Sequence, residues 1–221
     1  MSGSLPMYWK VSVVVDNDSW IVPFALRLTN VLRDCGHIAR FCSSYAEIEQ
    51  GDFAFLLGCV GIALPDVLGR NRRNLVVHAS DLPKGRGFSP LTWSILAKEN
   101  TIPVCLIEAV QEADAGPIVY KEELVFEDHE LIGELRTAVG EMTIDLCKRF
   151  VCARPEPLGV PQSGQPTFLR RRYPKDSVLD PDSSIAEQFD LLRTVDNEKY
   201  PAFFDFRGHR YLIRIEKIGA K

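Results

Sequence analysis

Apolar runs alternate with segments of helical spacing from residue 10 onward. Four valines make positions 10–15 rich in β-branched residues, and the polar residues 16–19 follow directly. This pattern is typical of a strand that enters a loop. Residues 22–33 carry apolar side chains at the spacing of an amphipathic helix, and Gly36 marks the end of that helix.

The same alternation continues through the first half of the chain. Further strands are predicted at residues 38–42, 52–57, 74–78 and 103–108, and helices at residues 65–68 and 91–98. Strands that alternate with helices imply a parallel sheet with crossover connections. Such sheets bind ligands beyond the carboxyl ends of their strands. The strand ends to search are therefore Val15, Leu57, Val77 and Ile107.

The second half of the chain changes character. A long amphipathic helix is predicted at residues 131–150 and would pack on the sheet. Beyond a stretch rich in proline and glycine, a small helix is predicted at residues 185–192. A hairpin is predicted from strands at 202–206 and 211–215, around a turn that contains Gly208.

These elements predict an α/β protein with two parts. Residues 1–153 form a Rossmann-like core with a parallel sheet, and residues 154–166 form a linker. Residues 167–221 form a small C-terminal α+β appendage. With 221 residues and 46% hydrophobic positions, the chain is long enough to bury a sizeable core.

Charge and cysteine usage narrow the function classes. The net charge of −4 argues against a general nucleic-acid binder, which is usually basic. The six cysteines form no CxxC pair, so we predict buried, reduced thiols and no metal site. Residues 1–7 have no apolar core typical of a signal peptide, and no run of 18 apolar residues predicts a membrane span. We expect a cytoplasmic protein without a membrane partner.

Residues 74–90 contain the strongest candidate chemistry. His78 follows a buried strand, and a loop with Pro83 and two glycines comes next. Asp114 begins a tight turn at Gly116-Pro117. Histidine suits proton transfer near neutral pH, and a carboxylate beside it would orient the ring. The pattern alone also fits a hydrogen-bonded histidine and an ordinary turn acid.

Two motifs resemble the folate-dependent formyltransferase family. His78-x-Ser80-x-Leu82-Pro83 matches the loop of that family, and Asp114-x-Gly116-x-Ile118 matches its acidic turn. The resemblance covers residues 8–151. It implies a formyltransferase-type core, N10-formyltetrahydrofolate as formyl donor, and His78 and Asp114 as catalytic residues.

The chain is also similar to small sugar N-formyltransferases of the pseudaminic-acid type. The similarity lies in residues 16–23, 51–52, 74–78, 91–93 and 191–204. It implies transfer of the formyl group to the amine of a nucleotide-linked 4-amino-4,6-dideoxy sugar for surface polysaccharide synthesis, with UDP as the expected nucleotide. The identity of the amino sugar and the choice between uridine and thymidine stay open. The C-terminal appendage would then bind the nucleotide sugar. The oligomeric state is left open, with a homodimer allowed.

The resemblance and the residue chemistry together predict the binding residues. The family builds its folate pocket from the backbone after the preceding strand, which here implies Val60, Gly61 and Ile62. Arginine suits phosphate contacts, and tryptophan or tyrosine can stack on a base. The predicted substrate residues are Arg86, Trp93, Arg171, Arg172, Tyr173 and Lys175. A solvated basic loop and core tryptophans are the alternative.

One position departs from the family pattern. The family has asparagine two residues before the histidine, where its amide can stabilise an oxyanion, and this chain has Val76. Asn74 would lie about 13 Å from His78 along a strand, so we interpret it as structural. Protonated His78, the Ser80 hydroxyl and a backbone N–H remain open as oxyanion donors.

Three other functions remain open. A formyltetrahydrofolate hydrolase would use water in place of the amine and would not need a basic appendage. An aminoacyl or peptidyl formyltransferase would be expected to have a larger C-terminal domain. A non-catalytic folate or nucleotide-sugar binding protein would account for the missing asparagine.

Overall fold

The structure, a computed structural model, describes residues 8–219. The interpretation of residues 1–7 as a polar start without a leader lies outside the described residues. The first half contains β1 (Lys10–Val14), α1 (Val22–Asp34), β2 (Ile38–Cys42), β3 (Gly51–Leu56), α2 (Pro65–Leu68), β4 (Asn71–His78), β5 (Arg86–Gly87) and α3 (Pro90–Leu96). The second half contains β6 (Thr101–Glu108), β7 (Ile118–Val125), α4 (Ile132–Cys152), β8 (Phe168–Leu169), α5 (Phe189–Thr194), β9 (Ala202–Phe206) and β10 (His209–Ile213). Short 3-10 turns occur at Tyr45–Glu47 and Pro174–Ser177.

A six-stranded sheet forms the centre of the molecule, in the order β2-β1-β3-β4-β6-β7. The predicted α/β class is confirmed, and β1 to β4 pair in parallel as expected. The prediction is wrong for β6, which runs antiparallel to β4 with His78 opposite Cys105. Residues 79–100 connect β4 to β6. Because the two strands are antiparallel, this connection begins and ends at the carboxyl end of β4 and does not cross the sheet.

The edge strand β7 was not predicted. It pairs antiparallel with β6, and its exposed and half-buried residues alternate. The apolar content of this strand is diluted by Lys121, Glu122 and Glu123. Charged residues are common on edge strands because the outer face stays in water. That composition hides the strand from a search for apolar runs.

Helices α1 and α4 cover one face of the sheet. Leu28 and Leu32 of α1 join Leu135 and Phe150 of α4 in the main apolar core. The helices come close at Gly140, where an added Cβ would lie 2.4 Å from the Phe24 ring. Burial of these faces is the main stabilising contribution of the fold. Within residues 8–219, no helix has the length and apolarity needed to cross a membrane.

The residues after α4 return to the sheet. Val160 bridges Ile118 at the start of β7, and β8 pairs with β5. A separate apolar cluster around Leu179 and Leu192 forms the centre of the appendage. The hairpin turns through Arg207 and Gly208, both with positive φ, so β10 begins at His209, two residues earlier than predicted.

Candidate functional site

A cavity of about 940 Å³ opens where β1, β3 and β4 end. The strand order reverses direction at β1, which lies between β2 and β3. Such switch points leave a crevice beyond the carboxyl ends of the strands. The walls include the loops after β1, β3 and β4, part of α4, and residues 171–173 of the appendage.

His78 and Asp114 meet in this cavity. His78 is the last residue of β4 and is buried. Its Nε2 lies 2.8 Å from the carbonyl oxygen of Gly85, and its Nδ1 lies 3.5 Å from Oδ1 of Asp114. A carbonyl oxygen can only accept, so Nε2 carries a proton. Nδ1 is then the ring nitrogen that can exchange a proton, beside the carboxylate.

The turn after β6 aims Asp114 at the histidine. Asp114 has a φ of 53°, in the left-handed region, and its Oδ2 accepts the N–H of Gly87 at 2.9 Å. At Gly116 an added Cβ would lie 1.7 Å from the carbonyl oxygen of Glu108, so only glycine fits. The Gly116 of the sequence motif thus has a steric reason. Gly85 accepts a hydrogen bond from His78, and Gly87 donates one to Asp114.

Asp16, after β1, organises the loop that follows β3. Its carboxylate accepts the N–H groups of Val60 at 2.8 Å and Gly61 at 2.7 Å. Burial alone would raise the pKa of Asp16, but hydrogen bonds from Asn17, Val60 and Gly61 outweigh burial and lower it. The charged carboxylate therefore holds the loop across the switch point.

The predicted folate residues line the cavity, but the backbone of Gly61 already has hydrogen-bond partners within the protein. Val60, Gly61 and Ile62 all lie in its wall. The Gly61 N–H binds Asp16, and its carbonyl oxygen accepts the hydroxyl of Tyr45 at 2.7 Å. The backbone groups of Gly61 therefore shape the loop, and the side chains of Val60 and Ile62 are exposed at the cavity wall.

The six predicted substrate residues divide into two groups. Arg171, Arg172 and Tyr173 line the cavity. Trp93 and Lys175 lie outside the set of lining residues. The Trp93 indole N–H donates to the carbonyl oxygen of Arg170 at 2.9 Å. Trp93 therefore supports the backbone of residues 170–173, which we call the arginine segment.

Arg86 also lies outside the cavity wall, although it was predicted to bind substrate. Its side chain is buried and is not among the residues that line the cavity. It donates to Oε1 of Gln162 through Nε and Nη2, and to Glu112 through Nη1 at 2.8 Å. In this structure Arg86 binds neighbouring residues of the protein.

Several cavity residues were missed by the sequence analysis. Arg136 of α4 pairs with Asp196 at 2.6 Å, and Lys199 pairs with Asp18 at 2.7 Å. All four line the cavity. The resemblance in residues 16–23 and 191–204 was the available signal for all but Arg136. Their convergence depends on how the appendage docks.

Position 76 is apolar in its surroundings as well as in its side chain. Val76 lines the cavity and packs against two apolar clusters. Asn74 donates to the carbonyl oxygen of Leu68 at 2.8 Å, which confirms its structural interpretation. Ser80 is buried and is not among the residues that line the cavity.

Cysteine and metal chemistry find little support in the cavity. Cys59 lines the wall, but burial raises its pKa to about 11, so it is a neutral thiol at neutral pH. Among the residues from Tyr8 to Gly219, no three His, Cys, Asp or Glu side chains form a group that could hold a metal ion.

The solved structures that resemble this chain share one fold with it. No protein-family model matches the sequence. A methionyl-tRNA formyltransferase from Clostridium thermocellum aligns with a TM-score of 0.78 at 20% identity, over 95% of this chain and 94% of that one. A sugar N-formyltransferase from a Shewanella species aligns with a TM-score of 0.69 at 17% identity, over 98% of this chain and all of that one.

A third structure, HypX from Aquifex aeolicus in complex with tetrahydrofolic acid, aligns with a TM-score of 0.76 at 16% identity. The match covers 94% of this chain and 38% of HypX. At these identities the likeness shows the fold alone. The chain therefore has the fold that these formyltransferases share.

Proposed function

We propose that the protein is a sugar N-formyltransferase. It transfers the formyl group of N10-formyltetrahydrofolate to the amine of a nucleotide-linked 4-amino-4,6-dideoxy sugar. The single observation that carries the proposal is the 3.5 Å contact between His78 and Asp114 inside a ligand-sized cavity of a formyltransferase fold. We further propose UDP as the nucleotide, a pseudaminic-acid-type sugar for surface polysaccharide, and a cytoplasmic reaction.

The loop after β3 supports a folate as the formyl donor. Asp16 and Tyr45 hold this loop, and Val60 and Ile62 offer apolar side chains at the cavity. A flat ring of folate size needs an apolar wall with a few polar groups, as most ligand cavities have. When bound, the folate supplies the formyl group.

The arginine segment supports a phosphorylated second substrate. Arg171 and Arg172 line the same cavity, with the aromatic ring of Tyr173 beside them. Guanidinium groups bind phosphate oxygens in pairs, and a tyrosine ring can stack on a base. A nucleotide-linked sugar would use both features at once, with its amine directed toward His78.

His78 and Asp114 would move the two protons that the reaction requires. The attacking amine loses a proton, and the nitrogen that releases the formyl group gains one. Asp114 would accept the first proton, directly or through water, while His78 would donate the second from Nδ1. Transfer of a proton between the two neighbouring groups then restores both to their starting states.

The developing charge on the formyl oxygen also needs a donor. Val76 has none to offer, and Ser80 lies outside the cavity wall. A histidine protonated at both nitrogens would direct its Nδ1–H at the formyl oxygen while charge develops there and would then pass that proton to the departing nitrogen, so His78 is the donor we favour.

The test is a turnover assay with N10-formyltetrahydrofolate and a panel of nucleotide-linked amino sugars. We expect formylated sugar and tetrahydrofolate in equal amounts. His78→Ala should lower turnover about 100-fold or more, the usual loss for a general acid–base group. His129→Ala is the matched control, because His129 is exposed and paired with Lys217 on the surface.

Other reaction products would contradict the proposed function and identify a different one. Release of formate without a formylated sugar would identify a hydrolase, and formylation of charged tRNA would identify an aminoacyl formyltransferase. Full activity of His78→Ala would overturn the assigned mechanism even if the sugar were formylated.

A further inference from the structure

Residues 154–166, predicted as a linker, place one side chain against the turn that carries Asp114. The side-chain nitrogen Nε2 of Gln162 donates to the carbonyl oxygen of Asp114 at 2.7 Å and to that of Gly116 at 2.9 Å. One amide therefore holds the backbone on both sides of Ala115. This is the turn whose left-handed φ at Asp114 sets the direction of the carboxylate.

Arg86 determines which way the Gln162 amide faces. Its Nη2 donates to Oε1 of Gln162 at 2.8 Å, and its Nε donates to the same atom at 3.2 Å. A guanidinium has only donors, so it requires the oxygen of the amide on its side. The nitrogen of Gln162 is then directed at the two carbonyl oxygens. Glu112 accepts a hydrogen bond from Nη1 of Arg86 at 2.8 Å.

The short segment of residues 85–87 contacts both catalytic candidates, His78 and Asp114. Gly85 accepts from His78, Gly87 donates to Asp114, and Arg86 between them orients Gln162. Gln162 and Arg86 thus connect the Asp114 turn to the loop that positions His78. A displacement of about 1 Å between reacting groups can lower a rate by roughly 100-fold.

We propose that Gln162 is a positioning residue that sets the Asp114 carboxylate against His78 through its two hydrogen bonds to the turn. This inference rests on the proposed function, in which Asp114 and His78 act together. Gln162 itself lies outside the residues that line the cavity, so it acts on the carboxylate and makes no contact with substrate.

Two variants separate the donor role of Gln162 from its pairing with Arg86. Gln162→Leu removes both roles at similar volume. Gln162→Glu keeps an acceptor for Arg86 but has no hydrogen to donate to the turn when ionised. Gln165→Leu is the matched control, because Gln165 is exposed on the same segment.

We expect both Gln162 variants to lower kcat by roughly 10- to 100-fold, with KM for either substrate changed less than about twofold. Gln165→Leu should match the wild type. Wild-type kcat in Gln162→Glu would show that the hydrogen bonds to the turn are dispensable and would overturn the proposal. An increase in KM at unchanged kcat would overturn it as well, because that pattern reports lost substrate binding.

Hydrogen exchange at the Gly87 amide tests the same idea without any activity. That N–H donates to Asp114, so a loosened turn should expose it. We expect exchange about tenfold faster in both Gln162 variants than in Gln165→Leu. Equal protection in all three would refute the positioning role. If the wild type formylates no substrate but exchange still rises, the proposed function fails while the positioning of Asp114 stands.

Discussion

Val76 stands where the formyltransferase motif has asparagine, and its neighbours are apolar. It pairs with Leu56 of β3 and Ile107 of β6, and it packs against the two apolar clusters that contain these residues. An amide at this position would have few partners on the protein side. A working site without the amide must draw its oxyanion donor from elsewhere, and Nδ1 of His78 is the group we favour.

Replacement of Val76 by asparagine tests this account. We expect Val76→Asn to lower the free energy of unfolding by about 1–3 kcal/mol, because a partly unpaired amide loses its hydration. Turnover should not rise. Urea unfolding and the formyl-transfer assay measure the two effects, with Val125→Asn on the exposed edge strand as control. A turnover increase of about tenfold at unchanged stability would mean that the native site lacks its donor.

At the scale of elements, the strand β8 brings the segment after it, with the proposed substrate residues, next to the loop that positions His78. β8 pairs with β5, and residues 170–173 follow directly. Asp176 accepts two hydrogen bonds from Arg170 at 2.7 Å and the N–H of Tyr173 at 2.7 Å. This carboxylate gives the arginine segment its shape.

The pH dependence of stability should report on Asp176. The Arg170 guanidinium, helped by the Tyr173 N–H, lowers the pKa of Asp176 to about 2. A depressed folded-state pKa means that the contribution is complete above the unfolded value near 3.8 and is lost as the pH falls toward 2. We expect about 1 kcal/mol at pH 7, because Arg170 is exposed and water screens the pair.

Urea unfolding of the wild type and Asp176→Asn at pH 7, 4, 3 and 2.5 measures this contribution. The difference between the two proteins should shrink from pH 4 downward. Asp205→Asn, which breaks a similar pair with Arg210 on the exposed hairpin, is the matched control and should give a smaller difference. A difference that stays constant across this range would contradict the account.

At the scale of the whole molecule, Arg193 attaches the appendage to the core. It is fully buried and bonds Asp190 of its own helix and Asn100 before β6. Glu130, before α4, lies 3.9 Å from its Nη1. Removal of one member of a buried charged group leaves its partners uncompensated. Docking also completes the cavity, since Asp196 and Lys199 of the appendage reach Arg136 and Asp18.

Arg193→Met should therefore destabilise core and appendage together. We expect a loss of about 3 kcal/mol or more in the free energy of unfolding, with a single transition seen by circular dichroism and by tryptophan fluorescence. Arg207→Met, on the exposed hairpin turn, should change stability little. Two separated transitions in the wild type would show that the appendage folds independently of the core.

The sequence by itself determined the elements and the motif. β-branched runs and helical spacing are local signals, and they located β1 to β4, α1, α4 and the hairpin to within a few residues. His78 and Asp114 were recognisable because chemistry and turn residues occur together in short motifs. The glycine at 116 follows from the same turn, which has no room for a side chain.

The tertiary structure alone decided strand direction and side-chain partners. The reversal of β6, the edge strand β7 and the position of Gln162 depend on contacts between residues far apart in the chain. Arg86 was predicted from its chemistry to bind substrate, but the side chain of Gln162, 76 positions later in the sequence, accepts its hydrogen bonds instead. The chemistry of a side chain determines which groups it can bind, but only the packing of the folded chain decides which of those groups lies within reach.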